Sequence, residues 1–337
     1  VWAGHDEGGL MSCQDDYSIL HSGAGIGRTA PRRPIGVTGR DRATYLHGLL
    51  TNDIQALTPG SGCYAAWLTP QGRMLTDLHV LESGDMILLD VPVEQHEATL
   101  ARLEQFLFSE DVQLSDLGAS LASVWIHGPA AAATIERLAS PLVGLSSWPT
   151  YHNVRAEVAG APAVIARIDQ LGVPGFCLWL DAANATRVIS ELEPAGASRV
   201  SADAIEASRI DAAYPLFGID MTSDTIPLEA GIEGSAISLT KGCYVGQEII
   251  IRVLHRGHGR VARKLSSLRI EDGVPIGGAR VFAGDREVGW VTSAARSPRN
   301  GPVALAYVHR DFLAPGTRLD VDIDGHRCVA QITAPDS

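Results

Sequence analysis

The sequence predicts an α+β protein in which two mixed subdomains of sheet and helix are followed by a small C-terminal β-barrel. Three observations predict it. From Ile35 to Ser201 the hydrophobic pattern alternates between the strand and helix periods. Beyond Val261 only short strand patterns with turns between them remain. At 337 residues the chain is also longer than a single core readily fills. Apolar residues make up 45% and charged residues 20%, which suits a folded chain rather than a disordered one.

Residues 1–33 are Gly-rich and weakly patterned, and read as a surface lead-in. Gly23, Gly25 and Gly27 precede Pro31 without the GxGxxG spacing, or the strand-then-helix context, of a phosphate loop. Residues 41–50 pattern as a short helix, and residues 63–69, 74–82 and 85–91 as strands, with Ser83-Gly84 turning between the last two. After Pro92, the residues Leu100, Leu103, Phe106 and Leu107 share one helix face. A second set follows, with a strand over 121–127, a helix after Gly128-Pro129, strands near 163–168 and 176–180, and a helix over 183–192. Ser201 suits a helix N-cap ahead of ADAIEASRIDAA. Residues 214–258 are rich in Gly, Pro and polar residues with little periodicity, a length that compact domains seldom leave irregular unless it serves a site. Strands then read in VARKLSSLRI, EVGWVTSA, PVALAYV, RLDVDI and HRCVAQI, and Asp324-Gly325 is a two-residue hairpin signal. The expected division is a lead-in over 1–33, a main domain over 34–258 with subdomains split near 115–200, and a barrel domain over 259–337.

Lys and Arg number 27 against 39 Asp and Glu, a formal charge of −12, which argues against a general grip on nucleic acid or anionic lipid. One stretch runs the other way: Arg252, Arg256, Arg260, Arg263 and Lys264, with His255 and His258, invite an anionic ligand. His255 and His258 lack a third ligand nearby in sequence, so solvated or phosphate-facing imidazoles are expected and no metal is assigned. No segment approaches the ~18 apolar residues of a membrane span, and the N-terminal residues lack a basic region followed by an apolar run, so a cytoplasmic location is expected. The cysteines at 13, 63, 177, 243 and 328 are odd in number and widely spaced, and are expected to be thiols. No closely spaced thiolates are present to carry an iron–sulfur cluster.

Residues 241–248 read KGCYVGQE. Cys243 follows Lys241 by two positions and lies between Gly242 and Gly246, so a tight turn can hold a thiol near an ammonium and enrich the thiolate. Glycines also let backbone N–H groups approach a ligand, and Gln247 and Glu248 add donors and acceptors. The alternative is a Cys243 that packs as a small buried hydrophobe. The other four cysteines lack such neighbours and are read as packing residues.

The octet is similar, at every position, to the signature of the YgfZ family. The order around it is similar too: an Arg-containing helix, an FG-Asp turn and a Pro-x-Glu-Ala-Gly element lie in RIDAAYPLFGIDMTSDTIPLEAG, before the octet and a following Arg. Upstream, YLHGLLTNDI and LTPQGRMLTDLHV resemble the family's N-terminal signatures, and VGWVTSAARSPRNGPVALAYV resembles its C-terminal barrel. The wider superfamily includes the aminomethyltransferase (T-protein) of the glycine cleavage system. The resemblance implies a ring-like arrangement around a cavity for tetrahydrofolate or a derivative. It also implies a role in assembling or maintaining iron–sulfur enzymes, tRNA-modifying ones among them. Departures separate the two members. The paired acids of the aminomethyltransferases read Thr76-Asp77 here, and their pterin-contacting Glu and Arg fall on Cys177 and Ile205, losing charge-assisted hydrogen bonds.

The candidate site therefore assigns Cys243 and Lys241 to chemistry, and Asp77, Arg209, Glu229, Gly242, Tyr244, Gly246, Gln247, Glu248 and Arg252 to folate. Asp77 could instead be a strand residue facing solvent, and Arg209 could simply pair with a carboxylate. The function expected is that of a folate-binding accessory protein for iron–sulfur enzymes. The alternatives are a one-carbon (aminomethyl) transferase and a non-catalytic folate-binding scaffold.

Overall fold

The structure, a computed structural model, describes residues 9–256 and 260–334. In chain order the first elements are α1 (Gly9–Ser22), β1 (Gly25–Ile26), β2 (Arg32–Thr38), α2 (Arg42–Leu49), β3 (Gly62–Leu68), β4 (Met74–Glu82), β5 (Ile87–Pro92), α3 (His96–Gln105) and β6 (Gln113–Asp116). The second set is β7 (Leu121–His127), α4 (Ala131–Leu138), β8 (Asn153–Val158), β9 (Ala161–Arg167), β10 (Gly175–Asp181), α5 (Ala185–Leu192), β11 (Ser198–Arg199) and α6 (Ala202–Asp211). Three helices, α7 (Pro227–Ala230), α8 (Glu233–Ala236) and α9 (Gln247–Arg256), lead to β12 (Arg263–Ile270), β13 (Arg280–Ala283), β14 (Arg286–Ser297), β15 (Gly301–His309), β16 (Arg318–Ile323) and β17 (His326–Thr333).

The strands form a five-stranded sheet in the order β3-β4-β5-β2-β6, a six-stranded sheet in the order β11-β1-β7-β10-β9-β8, and a closed barrel β12-β15-β14-β13-β16-β17. This is the α+β architecture expected, with two sheets and a barrel. Each sheet has one face against helices: Leu46, Leu49 and Leu103 cover the first, and Ile135, Val188 and Leu192 the second. The opposite faces meet each other, where Leu81 and Leu88 pack with Trp125, Cys177 and Trp179. Asp324 and Gly325 both take positive φ, +52° and +83°, as a two-residue type I′ hairpin requires.

Two expectations are corrected. The lead-in over 1–33 contains α1, β1 and the start of β2. Its apolar residues are too sparse to show a period, but Tyr17 and Leu20 pack on Ala204, Ile205 and Ala207 of α6. Tyr17 Oη donates to Asp211 Oδ2 (2.7 Å), and Ser201 N donates to Asp16 Oδ2 (2.8 Å), so tertiary contacts hold this helix. The irregular zone over 214–258 ends in α9, which starts inside the octet at Gln247 and buries Ile250 completely. Among the described residues no helix is long and apolar enough to cross a membrane.

Candidate functional site

Charged residues occupy inward positions of the sheets and converge on one buried cluster. Asp90 interrupts the apolar run of β5, and Arg32 opens β2. Arg32 Nε donates to Asp90 Oδ2 (2.9 Å) and Arg32 Nη1 to Asp77 Oδ1 (3.1 Å), while Tyr64 Oη donates to Asp77 Oδ2 (2.7 Å). His79 Nδ1 lies 2.9 Å from Asp90 Oδ2, its Nε2 lies 3.2 Å from Tyr214 Oη, and Gln170 Nε2 donates to that hydroxyl at 3.4 Å. One tautomer, with the proton on Nδ1, satisfies this chain.

The electrostatics follow from burial. Burial alone would lower the Arg32 guanidinium, but Asp77 and Asp90 hold it above its ordinary value. Asp90 is raised by burial and more than compensated by Arg32 and His79, ending below its ordinary value. His79 is lowered by burial and by Arg32, against the pull of Asp90, and is neutral at pH 7.

A cleft of about 290 Å³ opens beside this cluster, lined by Ile26, Arg28, Trp125, Arg199, Val200 and Ile205 among others. Trp125 is its shared wall, with its ring 6.5 Å from that of His79. Trp125 offers the cleft an aromatic face that fits a flat heteroaromatic ring. A larger cavity of about 420 Å³ lies on the barrel between Arg269, Asn300 and Arg318, lined by barrel strands and the turns that follow them.

Trp125 also stacks on buried His127, at 5.8 Å between rings and 11° between planes. Burial lowers His127 to about 4, opposed weakly by the Gly27 carbonyl and Asp169. An imidazole that is neutral when folded, but titrates near 6.5 when unfolded, contributes stability that is complete above pH 6.5 and lost as the pH falls towards 4. The loss should be roughly 3 kcal/mol at about 1.4 kcal/mol per unit. Urea midpoints across this range should show it, and His127→Leu should flatten the profile. An unchanged slope in the variant would assign the acid sensitivity elsewhere.

The octet lies on another face. Lys241 Nζ donates to the carbonyls of His47 (2.5 Å), Leu50 (2.6 Å) and Asn52 (2.9 Å), so all three of its donors fasten the loop to the end of α2. Burial lowers this ammonium to about 8, with Asp53 and Cys63 opposing. Tyr244 is buried with its ring 5.1 Å from Lys241 Nζ. Gly246 has φ +85°, and a Cβ there would lie 2.5 Å from the Thr69 carbonyl, so only glycine lets the loop rest on the turn between β3 and β4. The anchors leave Gly242 and Cys243 exposed.

The sequence candidates thus separate in space. Cys243 and Gly242 are presented by a loop that Lys241, Tyr244 and Gly246 hold. Gln247, Glu248 and Arg252 follow on α9, where Glu248 and Arg252 are exposed. Asp77 faces the buried cluster, not solvent. Arg209 is fully buried and ion-paired to Asp220 (2.8 Å) and Glu206. Glu229 Oε2 accepts from Ile226 N (3.3 Å), and Oε1 lies 3.4 Å from Arg263 Nε, which joins α7 to the barrel. His258 lies outside the described residues, as do the side chains of His255 and Arg256. All five cysteines are free thiols, and only Cys243 is exposed. Sequence reading missed Arg32, Tyr64, His79, Asp90, Trp125 and Tyr214. The available signal was a charge inside an apolar strand, clearest at Asp90 in ILLDVP.

Residues 11–241 match the GCVT N-terminal domain, and residues 263–336 match the glycine cleavage T-protein C-terminal barrel domain. The aminomethyltransferase of Geobacillus kaustophilus (strain HTA426) is 30% identical over 331 residues, covering 96% of this chain and 89% of that protein. That of Bacillus subtilis (strain 168) is 28% identical over 321 residues, covering 93% and 87%. The crystal structure of glycine cleavage system aminomethyltransferase T from Bartonella henselae superposes with a TM-score of 0.85 at 22% identity, covering 96% of this chain and 89% of that one.

Proposed function

Since the chain belongs to the glycine cleavage T-protein family, we propose that it is a tetrahydrofolate-binding accessory protein for the assembly or maintenance of iron–sulfur enzymes, tRNA-modifying ones among them, with Cys243 as its working residue. The observation that carries this reading, against ordinary aminomethyl transfer, is the state of Asp77. Arg32 holds one of its carboxylate oxygens and Tyr64 the other. Both oxygens thus already accept from buried protein donors and do not stand open to a reactant.

Two other positions support the same reading. Cys177 is wholly buried, and Ile205 lines the cleft as a hydrocarbon, so neither supplies the charge that the transferase pattern has there. Tetrahydrofolate, when bound, is a carrier of one-carbon groups. For its ring this chain would offer Trp125, and Arg28 lies at the cleft for an anionic tail.

The second reading, an aminomethyltransferase, is favoured by relatives of that name matching over nearly the full chain. One experiment separates the two. Tetrahydrofolate at a hundredfold excess over Kd should raise stability by about 2.7 kcal/mol in a thermal-shift titration. Aminomethylated carrier protein given with it should yield no methylene transfer above background. Robust transfer would establish the second reading, and no thermal shift at millimolar tetrahydrofolate would remove the folate half of the first.

A further inference from the structure

Three long polar side chains stand abreast on adjacent barrel strands. The registers of β12, β17 and β16 pair Arg269 with Gln331 and Gln331 with Arg318. Their chain neighbours Leu268, Ile270, Ala330, Ile332 and Leu319 fill the barrel core, so the three exposed side chains project from the opposite face. Neighbouring strands lie about 4.8 Å apart, which sets the two arginine Cα atoms about 10 Å from each other. Both arginines border the cavity of about 420 Å³, together with Glu271, Asn300 and Gln331. This cavity adjoins a narrower cleft of about 120 Å³ that shares Arg269 and Asn300. The cleft is also lined by Asp211 and Ser267, and the Ser267 hydroxyl is buried without a hydrogen-bond partner, which favours a polar occupant. We propose that the cavity binds a small molecule carrying two carboxylate or phosphate groups close together, one on the open edge of Arg269 and the other on Arg318 in place of Glu271. None of these residues belongs to the cleft beside Trp125 or to the octet.

Arg269 is aimed by its neighbours. Its Nε donates to the Asn300 carbonyl (2.9 Å) and its Nη2 to Asn300 Oδ1 (3.3 Å), which fixes the guanidinium plane and leaves Nη1 without a hydrogen bond among the described residues. The edge formed by Nη1 and Nη2 can take both oxygens of a carboxylate or phosphate. Asp211 orients Asn300 in turn. Its Oδ1 accepts from Asn300 Nδ2 (3.0 Å), while Oδ2 accepts from Tyr17 Oη (2.7 Å) and Ser297 Oγ (2.6 Å). Both Asp211 oxygens are therefore engaged, which weakens their repulsion of an anion. Glu271, two residues after Arg269, accepts from Arg318 Nη2 (3.1 Å). The Arg318 and Glu271 side chains are 70% and 67% exposed, so solvent screens the pair and little is lost when it opens. The same pair shows what Arg318 accepts, because Glu271 lays a carboxylate on it.

The test is calorimetric titration of the purified full chain at low ionic strength with succinate and with pyrophosphate, and with acetate as the control that carries one anionic group. At least one of the two probes should bind at a single saturable site, and acetate at least about tenfold more weakly. Arg269→Gln and Arg318→Gln should each weaken that binding at least about tenfold, the loss of one charge-assisted contact. Glu271→Gln should tighten it about two- to fivefold, because the competing carboxylate is removed from Arg318. All three side chains are exposed, so the variants should melt with wild type. The probe that binds more tightly identifies the anionic group the site takes. No saturable binding of either probe at millimolar concentration overturns the proposal, and so does binding that the two arginine variants leave unchanged. Unchanged or weaker binding in Glu271→Gln contradicts the displacement of Glu271 and overturns the placement of the second anionic group.

Discussion

Arg209→Met should lower the unfolding free energy by about 3–5 kcal/mol, the range for removing one partner of a buried ion pair. Arg209 is wholly buried, and its Nη1 donates to Asp220 Oδ2 (2.8 Å) and to the Tyr214 carbonyl (2.7 Å). Asp220 is itself a junction: Oδ1 accepts from Thr292 Oγ1 (2.5 Å) and Ser293 Oγ (2.6 Å) of β14, and Oδ2 from Leu216 N (2.9 Å). The pair therefore ties α6, the turn after it and the barrel together. Met fills similar volume but leaves a buried carboxylate without its counter-charge. Glu206 is about one-third exposed, and Glu206→Gln should cost under about 1 kcal/mol because solvent screens that pair. Urea denaturation of both variants checks the contrast. A loss for Arg209→Met no larger than that for Glu206→Gln would mean that the junction is held by the hydroxyls and backbone around Asp220.

The barrel was largely legible because its strands alternate over closed hairpins, and the turn at Asp324-Gly325 carries its own backbone chemistry. Strands β4 and β7 were legible to the residue as largely apolar runs, buried along nearly all of β4 and along the second half of β7. Strand β8 has the sequence NVRAEV, with exposed charges on a strand at the sheet edge, and shows no apolar run. Helix α1 has apolar residues whose partners lie some 190 positions away on α6, a contact that no local window contains. At the site, KGCYVGQE marked the loop but not the division of labour within it. Whether Lys241 addresses the Cys243 thiol or three carbonyls depends on where the end of α2 falls in space. The Arg32, Asp77 and Asp90 cluster was hidden for a similar reason, since its members sit on different strands and are assembled by sheet order.

The proposed role gives Cys243 a large effect on function and a small one on folding. It is exposed on a loop whose stability comes from Lys241, Tyr244 and Gly246, so Cys243→Ala should alter the unfolding free energy by no more than about 0.5 kcal/mol. Cys63 offers the control, because it is half-buried against the first core and burial pushes its thiol up to about 12. The most direct measurement is the activity of iron–sulfur enzymes in cells lacking this protein and supplied with wild type, Cys243→Ala or Cys63→Ala at matched levels. Wild type and folded Cys63→Ala should restore that activity, and Cys243→Ala should leave it at the level of the empty vector. Full restoration by a normally melting Cys243→Ala protein would contradict the account.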